Sequence, residues 1–310
     1  MKLDYKVYSF PSATGIADIY LQSITPDSKC DVKGVISIVH GMAEHTDRYK
    51  DIAEYLAKKG YAVFMHDHAG HGKSIKTPED LGYFGETDGF EKITDDVLEV
   101  TKIIKKQYPD TPVILWGHSM GSFVTRNFIA KYPDAVNGAV ICGTSGANPA
   151  AAAGIAIAKL IARLFGTRHR SDLLDKMAFG TYNKKFTGNT GFEWLSVNEE
   201  NVRVYVADKY CGFRFTANGF KDLFSLLAKV STKEWYSLVP SDLPIYLIAG
   251  DMDPVGNYGK GVTEVYNKLK SSGHTAVSIK LYKGLRHEIH NEASREAVLE
   301  DIVSFADTVK

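Results

Sequence analysis

Residues 111–121 read TPVILWGHSMG, so the pentapeptide Gly117-His118-Ser119-Met120-Gly121 directly follows a short apolar run. Residues 113–116 predict a buried strand, and residues 122–131 predict a helix. A serine between a strand and a helix occupies a sharp turn that raises its hydroxyl above the sheet. The positions two before and two after it require glycine, because side chains there would collide. The helix N-terminus also favours a developing negative charge, so the turn predicts Ser119 as a nucleophile.

A serine hydroxyl is a weak nucleophile unless a base removes its proton, and the base needs an acid to orient it. In a strand–turn–helix setting the acid and then the histidine follow the serine, each after a further strand. Asp253 is the predicted acid, and the alternative, Asp251, is interpreted as a turn residue. His287 is the predicted base, with His290 as the alternative. The sequence thus predicts a triad of Ser119, Asp253 and His287.

The stabilisation of an oxyanion needs two backbone N–H groups, one after the nucleophile and one from the loop after the first long strand. Met120 follows the nucleophile directly. His40-Gly41-Met42 ends the apolar run 35–39, so Met42 is the predicted source of the second amide, and a plain strand-ending turn is the alternative.

Short apolar runs rich in β-branched residues alternate with amphipathic stretches, which indicates a parallel sheet covered by helices. A helix is predicted over 89–107, and an edge hairpin over 5–10 and 16–21. Together with the serine turn, this pattern predicts an α/β-hydrolase fold, a mostly parallel sheet flanked by helices. The predicted core strands are 35–39, 62–65, 113–116, 138–141, 245–249 and 278–282.

The alternation of strands and helices stops over residues 146–239, which predict a helical cap inserted into a core formed by 1–145 and 240–310. A separate C-terminal domain is excluded, because two core strands follow. Within the insertion, Ala150–Phe165 is too short to cross a membrane and contains Lys159 and Arg163. It is interpreted either as a cap helix over an acyl tunnel, in contact with a membrane surface, or as a helix packed on the core. An apolar wall is expected from Tyr182, Phe213, Phe215, Phe220 and Phe224.

The composition excludes some classes of function. Lys plus Arg and Asp plus Glu each total 37 in 310 residues, so no basic excess supports nucleic-acid binding. Three widely separated cysteines suggest no disulfide framework, and the N-terminus shows no secretory signal. These features predict a cytoplasmic protein, peripheral to a membrane if the cap contacts one. No feature specifies an oligomeric state.

Five motifs lie in order along the chain. They are HGMAEH (40–45), HDHAGHG (66–72), GHSMG (117–121), GDMDPV (250–255) and HE (287–288). With these motifs the chain resembles the monoacylglycerol lipase and lysophospholipase family. The resemblance implies the same triad and the same oxyanion residues, and it implies a lipid ester substrate, most simply a monoacylglycerol, with no cofactor. Lysophospholipids and small esters are the alternative substrates.

The resemblance also implies a substrate-binding set for the polar head group, formed by Gly41, Glu44, Arg48 and His290. This role would make His290 a head-group ligand instead of an alternative base. Glu44 and Arg48 are four residues apart, so a simple surface ion pair is the competing interpretation.

Three hypotheses compete with an ester hydrolase that uses this triad. His66, His68 and His71 with Asp67 suggest a metal site, but their order does not match that of binuclear zinc hydrolases. The resemblance implies instead a structural loop and no metal. A non-catalytic binding protein is disfavoured because all three triad members are present. A serine peptidase with the same triad is the third hypothesis.

Overall fold

One sheet of eight strands organises the computed structural model, which describes residues 2–27 and 31–310. The strands are β1 Leu3–Pro11, β2 Asp18–Pro26, β3 Gly34–Val39, β4 Tyr61–His66, β5 Val113–His118, β6 Gly138–Cys142, β7 Ile245–Gly250 and β8 Val277–Tyr282. Their spatial order is β1-β2-β4-β3-β5-β6-β7-β8. β1 pairs antiparallel with β2 and β2 with β4, while the other neighbours are parallel. The predicted α/β-hydrolase fold and its edge hairpin are confirmed.

Helices cover both faces of the sheet. They are α1 Lys50–Lys58, α2 Gly89–Gln107, α3 Met120–Lys131, α4 Ala151–Phe165, α5 Asp172–Phe179, α6 Glu199–Ala207, α7 Ala217–Lys229, α8 Lys233–Leu238, α9 Lys260–Ser271 and α10 Arg295–Ala306. α1 and α10 pack on one face, and α2, α3 and α9 pack on the other. Every residue of β3 to β7 is therefore buried, as expected for parallel strands between two helical layers.

α2 has the predicted bounds, whereas α1 was not predicted. The apolar side of α1, formed by Ile52, Ala53, Leu56 and Ala57, shows the spacing of an amphipathic helix that the sequence reading did not use. His290 lies in the 3-10 helix Ile289–Asn291, and the last helix, α10, begins at Arg295.

Residues 146–239, here named the β6–β7 segment, contain α4 to α8 and the 3-10 helices Tyr182–Lys185 and Glu193–Leu195. α4 packs on α7, and Gly154 lies so close to the ring of Phe224 that a larger residue would not fit without a shift. The opposite side of α4 is open, with Leu160, Leu164 and Phe165 more than half exposed. α4 thus combines a packed side with an exposed apolar side.

None of the helices in residues 2–27 and 31–310 is long and apolar enough to cross a membrane. Cys142 is buried and Cys211 is partly exposed, both as free thiols. Cys30 lies outside the described residues.

Candidate active site

Ser119 lies in the turn between β5 and α3 with a strained backbone, φ 54° and ψ −120°. A Cβ on Gly117 would overlap the carbonyl oxygen of Gly121, and a Cβ on Gly121 would overlap that of Val39. The Ser119 amide donates to the carbonyl of Cys142 on the neighbouring strand, at 3.0 Å. Tight packing against the sheet therefore holds the serine at the N-terminus of α3.

Asp253 and His287 follow β7 and β8 and lie side by side. His287 Nδ1 is 2.9 Å from Asp253 Oδ2, and both side chains are buried. Asp253 is held in turn by the Val255 amide, which donates to its Oδ1 at 2.9 Å. Asp251 accepts a hydrogen bond from the Gly284 amide at 2.7 Å, which is the behaviour of a turn residue. The geometry thus brings Asp253, and not Asp251, to the histidine.

The pKa of His287 reflects two opposing effects. Burial lowers it, but the negative charge of Asp253 and the hydrogen bond to that carboxylate outweigh burial and raise the pKa above its ordinary value. His287 Nε2 is buried and makes no hydrogen bond with any described residue, Ser119 included. Catalytic hydrogen bonds are commonly long before substrate binds. The lack of a hydrogen bond to His287 Nε2 therefore agrees with its predicted role as the proton acceptor.

A cavity of about 650 Å³ lies over Ser119 and is lined by Met42, Met120 and His287 as well. Within the part of the chain that the structure describes, no backbone acceptor is bonded to the amide of Met42 or Met120. Met120 is the first residue of α3, whose N-terminal N–H groups have no partner inside the helix. Neither amide therefore has a backbone partner among the described residues, as the predicted oxyanion role requires.

A buried ion cluster lies next to the cavity. Arg48 Nη1 is 2.6 Å from Glu44 Oε2, and Arg48 Nη2 is 2.6 Å from Glu288 Oε2. Burial alone would raise the pKa of Glu288, but the charge of Arg48 lowers it to about 2. Glu44 also accepts hydrogen bonds from the Gly41 amide at 2.6 Å and from Tyr49 Oη at 2.9 Å. Glu44 therefore connects the loop after β3 to the cluster.

The predicted head-group residues divide into two pairs. Gly41 and Glu44 line the cavity. Arg48 and His290 do not line it, so their head-group role stays a prediction. The Arg48 guanidinium forms ion pairs with two carboxylates and lies under the ring of Tyr205. The competing interpretation, an ion pair between Glu44 and Arg48, therefore describes this residue, but the pair is buried and not on the surface. His290 is fully buried and stacked on Tyr49, with ring centroids 5.1 Å apart.

The β6–β7 segment supplies much of the cavity wall. Of the expected aromatic residues, Tyr182, Phe213 and Phe224 line the cavity, whereas Phe215 and Phe220 are fully buried behind it. Trp194, which was not predicted as a site residue, also lines the cavity and lies beside His287. Its only sequence signal is a tryptophan within a polar stretch, which does not reveal where the ring lies.

Potential metal ligands also occur. The described residues contain two groups of three ligand atoms within 4.8 Å of one another, His118, Cys142 and His290, and His45, Asp208 and Cys211. Burial raises the pKa of both thiols, which opposes the thiolate form that metals bind. The hypothesised set of His66, His68 and His71 forms no such group in residues 2–27 and 31–310. Burial lowers the pKa of all three, so they are neutral core histidines.

Comparison with known proteins finds similar sequences and structures over most of the chain. The family model described as serine aminopeptidase S33 matches residues 31–294. The monoacylglycerol lipase of Mycolicibacterium smegmatis is 27% identical over 96% of this chain and 95% of its own length. The human monoglyceride lipase is 29% identical over 84% of this chain and 77% of its own. A solved carboxyl esterase from Bacillus coagulans, in complex with glycerol, is 31% identical with a TM-score of 0.92, covering 98% of both chains.

The chain belongs to the serine aminopeptidase S33 family of α/β-hydrolases. Within that family it is a carboxylic ester hydrolase of the lipase and esterase type, similar to monoacylglycerol lipases over most of its length.

Proposed function

We propose that this protein hydrolyses carboxylic esters of lipids, monoacylglycerols foremost, by acyl transfer through Ser119, Asp253 and His287. The observation that carries the proposal is the single cavity that Ser119, His287, Met42 and Met120 share. His287, oriented by Asp253, accepts the Ser119 proton as Oγ attacks the ester carbonyl. The amides of Met42 and Met120 stabilise the oxyanion. His287 then protonates the leaving alcohol, and water repeats the sequence to release the fatty acid.

The cavity wall supports a lipid acyl chain. Leu223, Phe224 and Leu227 of α7 face it, and small residues of α4, including Ala151 and Gly154, leave space along it. Its volume of about 650 Å³ lies within the usual range for small-molecule sites. We infer that the β6–β7 segment acts as a cap that covers the acyl chain and selects its length.

Glycerol as the alcohol is supported by the loop after β3. Gly41 and Glu44 of that loop line the cavity, so the carboxylate of Glu44 can accept hydrogen bonds from hydroxyl groups. Relatives named monoacylglycerol lipase match most of the chain, and the solved Bacillus coagulans esterase contains glycerol. Arg48 and His290 have no direct contact role in this proposal. They act by holding Glu44 and its neighbours in place.

Lysophospholipids are the second candidate because two cationic side chains, Lys176 and Arg214, line the cavity. A phosphate group would need to compete with Asp172, which forms an ion pair with Arg214. A monoacylglycerol has no phosphate group, so its binding does not need to displace Asp172 from Arg214.

The cap also offers a surface for lipid. Leu160, Leu164 and Phe165 of α4 and Leu173 and Met177 of α5 are 41–65% exposed. Residues 146–239 contain 13 Lys and Arg against eight Asp and Glu, in a chain with zero net charge. An exposed apolar face within a basic region is suited to a membrane surface that contains anionic lipid. We propose that this α4–α5 face contacts the membrane from which the substrate is taken.

A hydrolysis panel tests the substrate assignment. It contains monoacylglycerols of graded chain length, lysophosphatidylcholine, short p-nitrophenyl esters and an aminoacyl anilide, with Ser119→Ala as the blank. We expect the highest kcat/KM for a monoacylglycerol. Preference for lysophosphatidylcholine would favour the second candidate, and preference for the anilide would assign the chain to the peptidases.

A further inference from the structure

The indole of Trp194 lies against the imidazole of His287. The ring centroids are 5.1 Å apart and the planes are inclined by 43°. Trp194 belongs to the 3-10 helix Glu193–Leu195 of the β6–β7 segment, whereas His287 belongs to the core loop after β8. One wall of the histidine is therefore supplied by a residue more than ninety positions earlier in the chain.

Backbone and side-chain hydrogen bonds fasten these two stretches together. The His287 amide donates to the Trp194 carbonyl at 3.4 Å, and the Glu288 amide donates to the Leu195 carbonyl at 2.7 Å. Arg286 donates to the carbonyls of Glu193 and Ser196 at 2.6 and 2.9 Å. The position of the tryptophan relative to the histidine is thus set by four hydrogen bonds.

The other side of Trp194 is held within the β6–β7 segment. Its amide donates to Asn183 Oδ1 at 3.0 Å. Its ring contacts Tyr182, with centroids 5.1 Å apart, and is nearly parallel to Phe179 at 6.4 Å. An indole fixed on both sides restricts rotation of the imidazole beside it, because tightly packed rings have few alternative rotamers.

We propose that Trp194 is a positioning residue of the reaction, whose ring orients His287 and stabilises the imidazolium formed when His287 accepts the Ser119 proton. This inference rests on the proposed function of His287 as the base. The electron-rich face of tryptophan attracts a cation within about 6 Å of its centre. The proton moves from Ser119 Oγ to Nε2 as the acyl bond forms, and leaves with the alcohol, so the positive charge beside the indole is transient.

The charged and titratable groups around His287 leave this role to Trp194 on the cavity side. Asp253 holds Nδ1, and Glu44 and Glu288 add negative potential from the buried ion cluster. The ring of His118 lies 4.7 Å from that of His287. The carboxylates already favour the imidazolium, and the uncharged indole adds to them without competing for Nδ1.

The test compares Trp194→Leu and Trp194→Phe with the wild type, using a water-soluble short-chain ester. Leucine keeps His287 covered but removes the π face, whereas phenylalanine keeps part of that face. We expect Trp194→Leu to lower kcat about threefold to thirtyfold, to change KM by less, and to move the acid limb of kcat/KM to lower pH by roughly 0.5 to 1 unit. Trp194→Phe should retain most of the wild-type kcat and pH profile.

Phe186→Leu is the matched control, since Phe186 lies over the Arg286 guanidinium and does not line the cavity. Its pH profile should equal that of the wild type, and the unfolding temperatures of all variants identify any loss of fold. If the wild type shows an acid limb that Trp194→Leu does not move, the inference is overturned while the triad stands. If the wild type shows no acid limb, the triad itself is contradicted.

Discussion

Ser119, Asp253 and His287 each follow a strand of the sheet, whereas Tyr182, Trp194 and Phe224 line the cavity from the β6–β7 segment. The first set is carried by β5, β7 and β8, and the buried strands β5 and β7 cannot shift without disturbing the core. The second set comes from two 3-10 helices and from α7, none of which belongs to the sheet. Under the proposed function, the core carries out the reaction and the segment selects which ester reaches it.

The two regions also differ in what a substitution should do. A change in the core triad should remove turnover for every ester, because each ester needs the same nucleophile and base. Apart from Trp194, which lies against His287, a change in the β6–β7 segment should alter the choice of substrate or its delivery. Substitutions in the core and in the β6–β7 segment test this difference, and the largest effect is expected in the triad.

Ser119→Ala should lower kcat by at least ~10⁴ for every ester in the panel, because only binding and oxyanion stabilisation remain. Steady-state assays on a short p-nitrophenyl ester and on a monoacylglycerol measure it. Ser122→Ala is the control, since Ser122 is buried in α3 and donates to the Ser119 carbonyl without lining the cavity. Retention of most activity by Ser119→Ala would exclude this serine as the nucleophile.

Asp253→Asn should lower kcat about 10³-fold to 10⁴-fold, because the amide cannot stabilise the imidazolium and favours the wrong tautomer of His287. Asp251→Asn is the matched control two residues away, where the amide oxygen can still accept the hydrogen bond from the Gly284 amide. Comparable losses in the two variants would mean that the acid has not been distinguished from its neighbour. A larger loss in Asp251→Asn would reverse the assignment.

Arg48→Met should destabilise the fold by about 3–5 kcal/mol, because it leaves the carboxylates of Glu44 and Glu288 buried without their cation. Denaturant unfolding measures the loss. Lys102→Met removes the cation of the exposed Lys102–Glu99 pair and should cost less than about 1 kcal/mol. Equal effects would show that the buried cluster has no special structural importance.

The substituted residues include some whose place the sequence predicts and some whose place it does not. The core strands, the serine turn and the Asp253–His287 pair were predictable, because apolar runs and the short motifs that follow them determine these features. The burial of Arg48 was not, since residues spaced four apart form exposed and buried pairs alike. Trp194 was missed because its place depends on how the β6–β7 segment packs on the core, and no local periodicity encodes that contact.

The acid limb of kcat/KM should lie above pH 6.5, the ordinary pKa of histidine, because Asp253 raises the pKa of His287. The base acts in its neutral form, so a raised pKa means that activity is lost as pH falls through a value above 6.5, about tenfold for each further unit. A profile over pH 5–9 on a soluble ester measures this limb. In Asp253→Asn the limb should move to lower pH, and a limb that stays in place would contradict the pairing.

The smallest expected effect concerns the exposed α4–α5 face. The double variant Leu164→Ser/Phe165→Ser should bind phospholipid vesicles at least about tenfold less tightly, because it removes two apolar side chains that are 63% and 65% exposed. Hydrolysis of a monoacylglycerol in those vesicles should fall in parallel, while turnover of a soluble short-chain ester should stay near the wild-type value.

Val204→Ser/Val206→Ser is the matched control, because these residues are about half exposed on α6 of the same segment but outside the α4–α5 face. Vesicles with and without phosphatidylserine separate the apolar contribution from that of the basic residues. Equal losses in the two double variants would assign the effect to general surface polarity. A fall in soluble-ester turnover would show that the outer side of α4 also shapes the cavity. α4 would then affect the reaction itself and not only the delivery of the substrate.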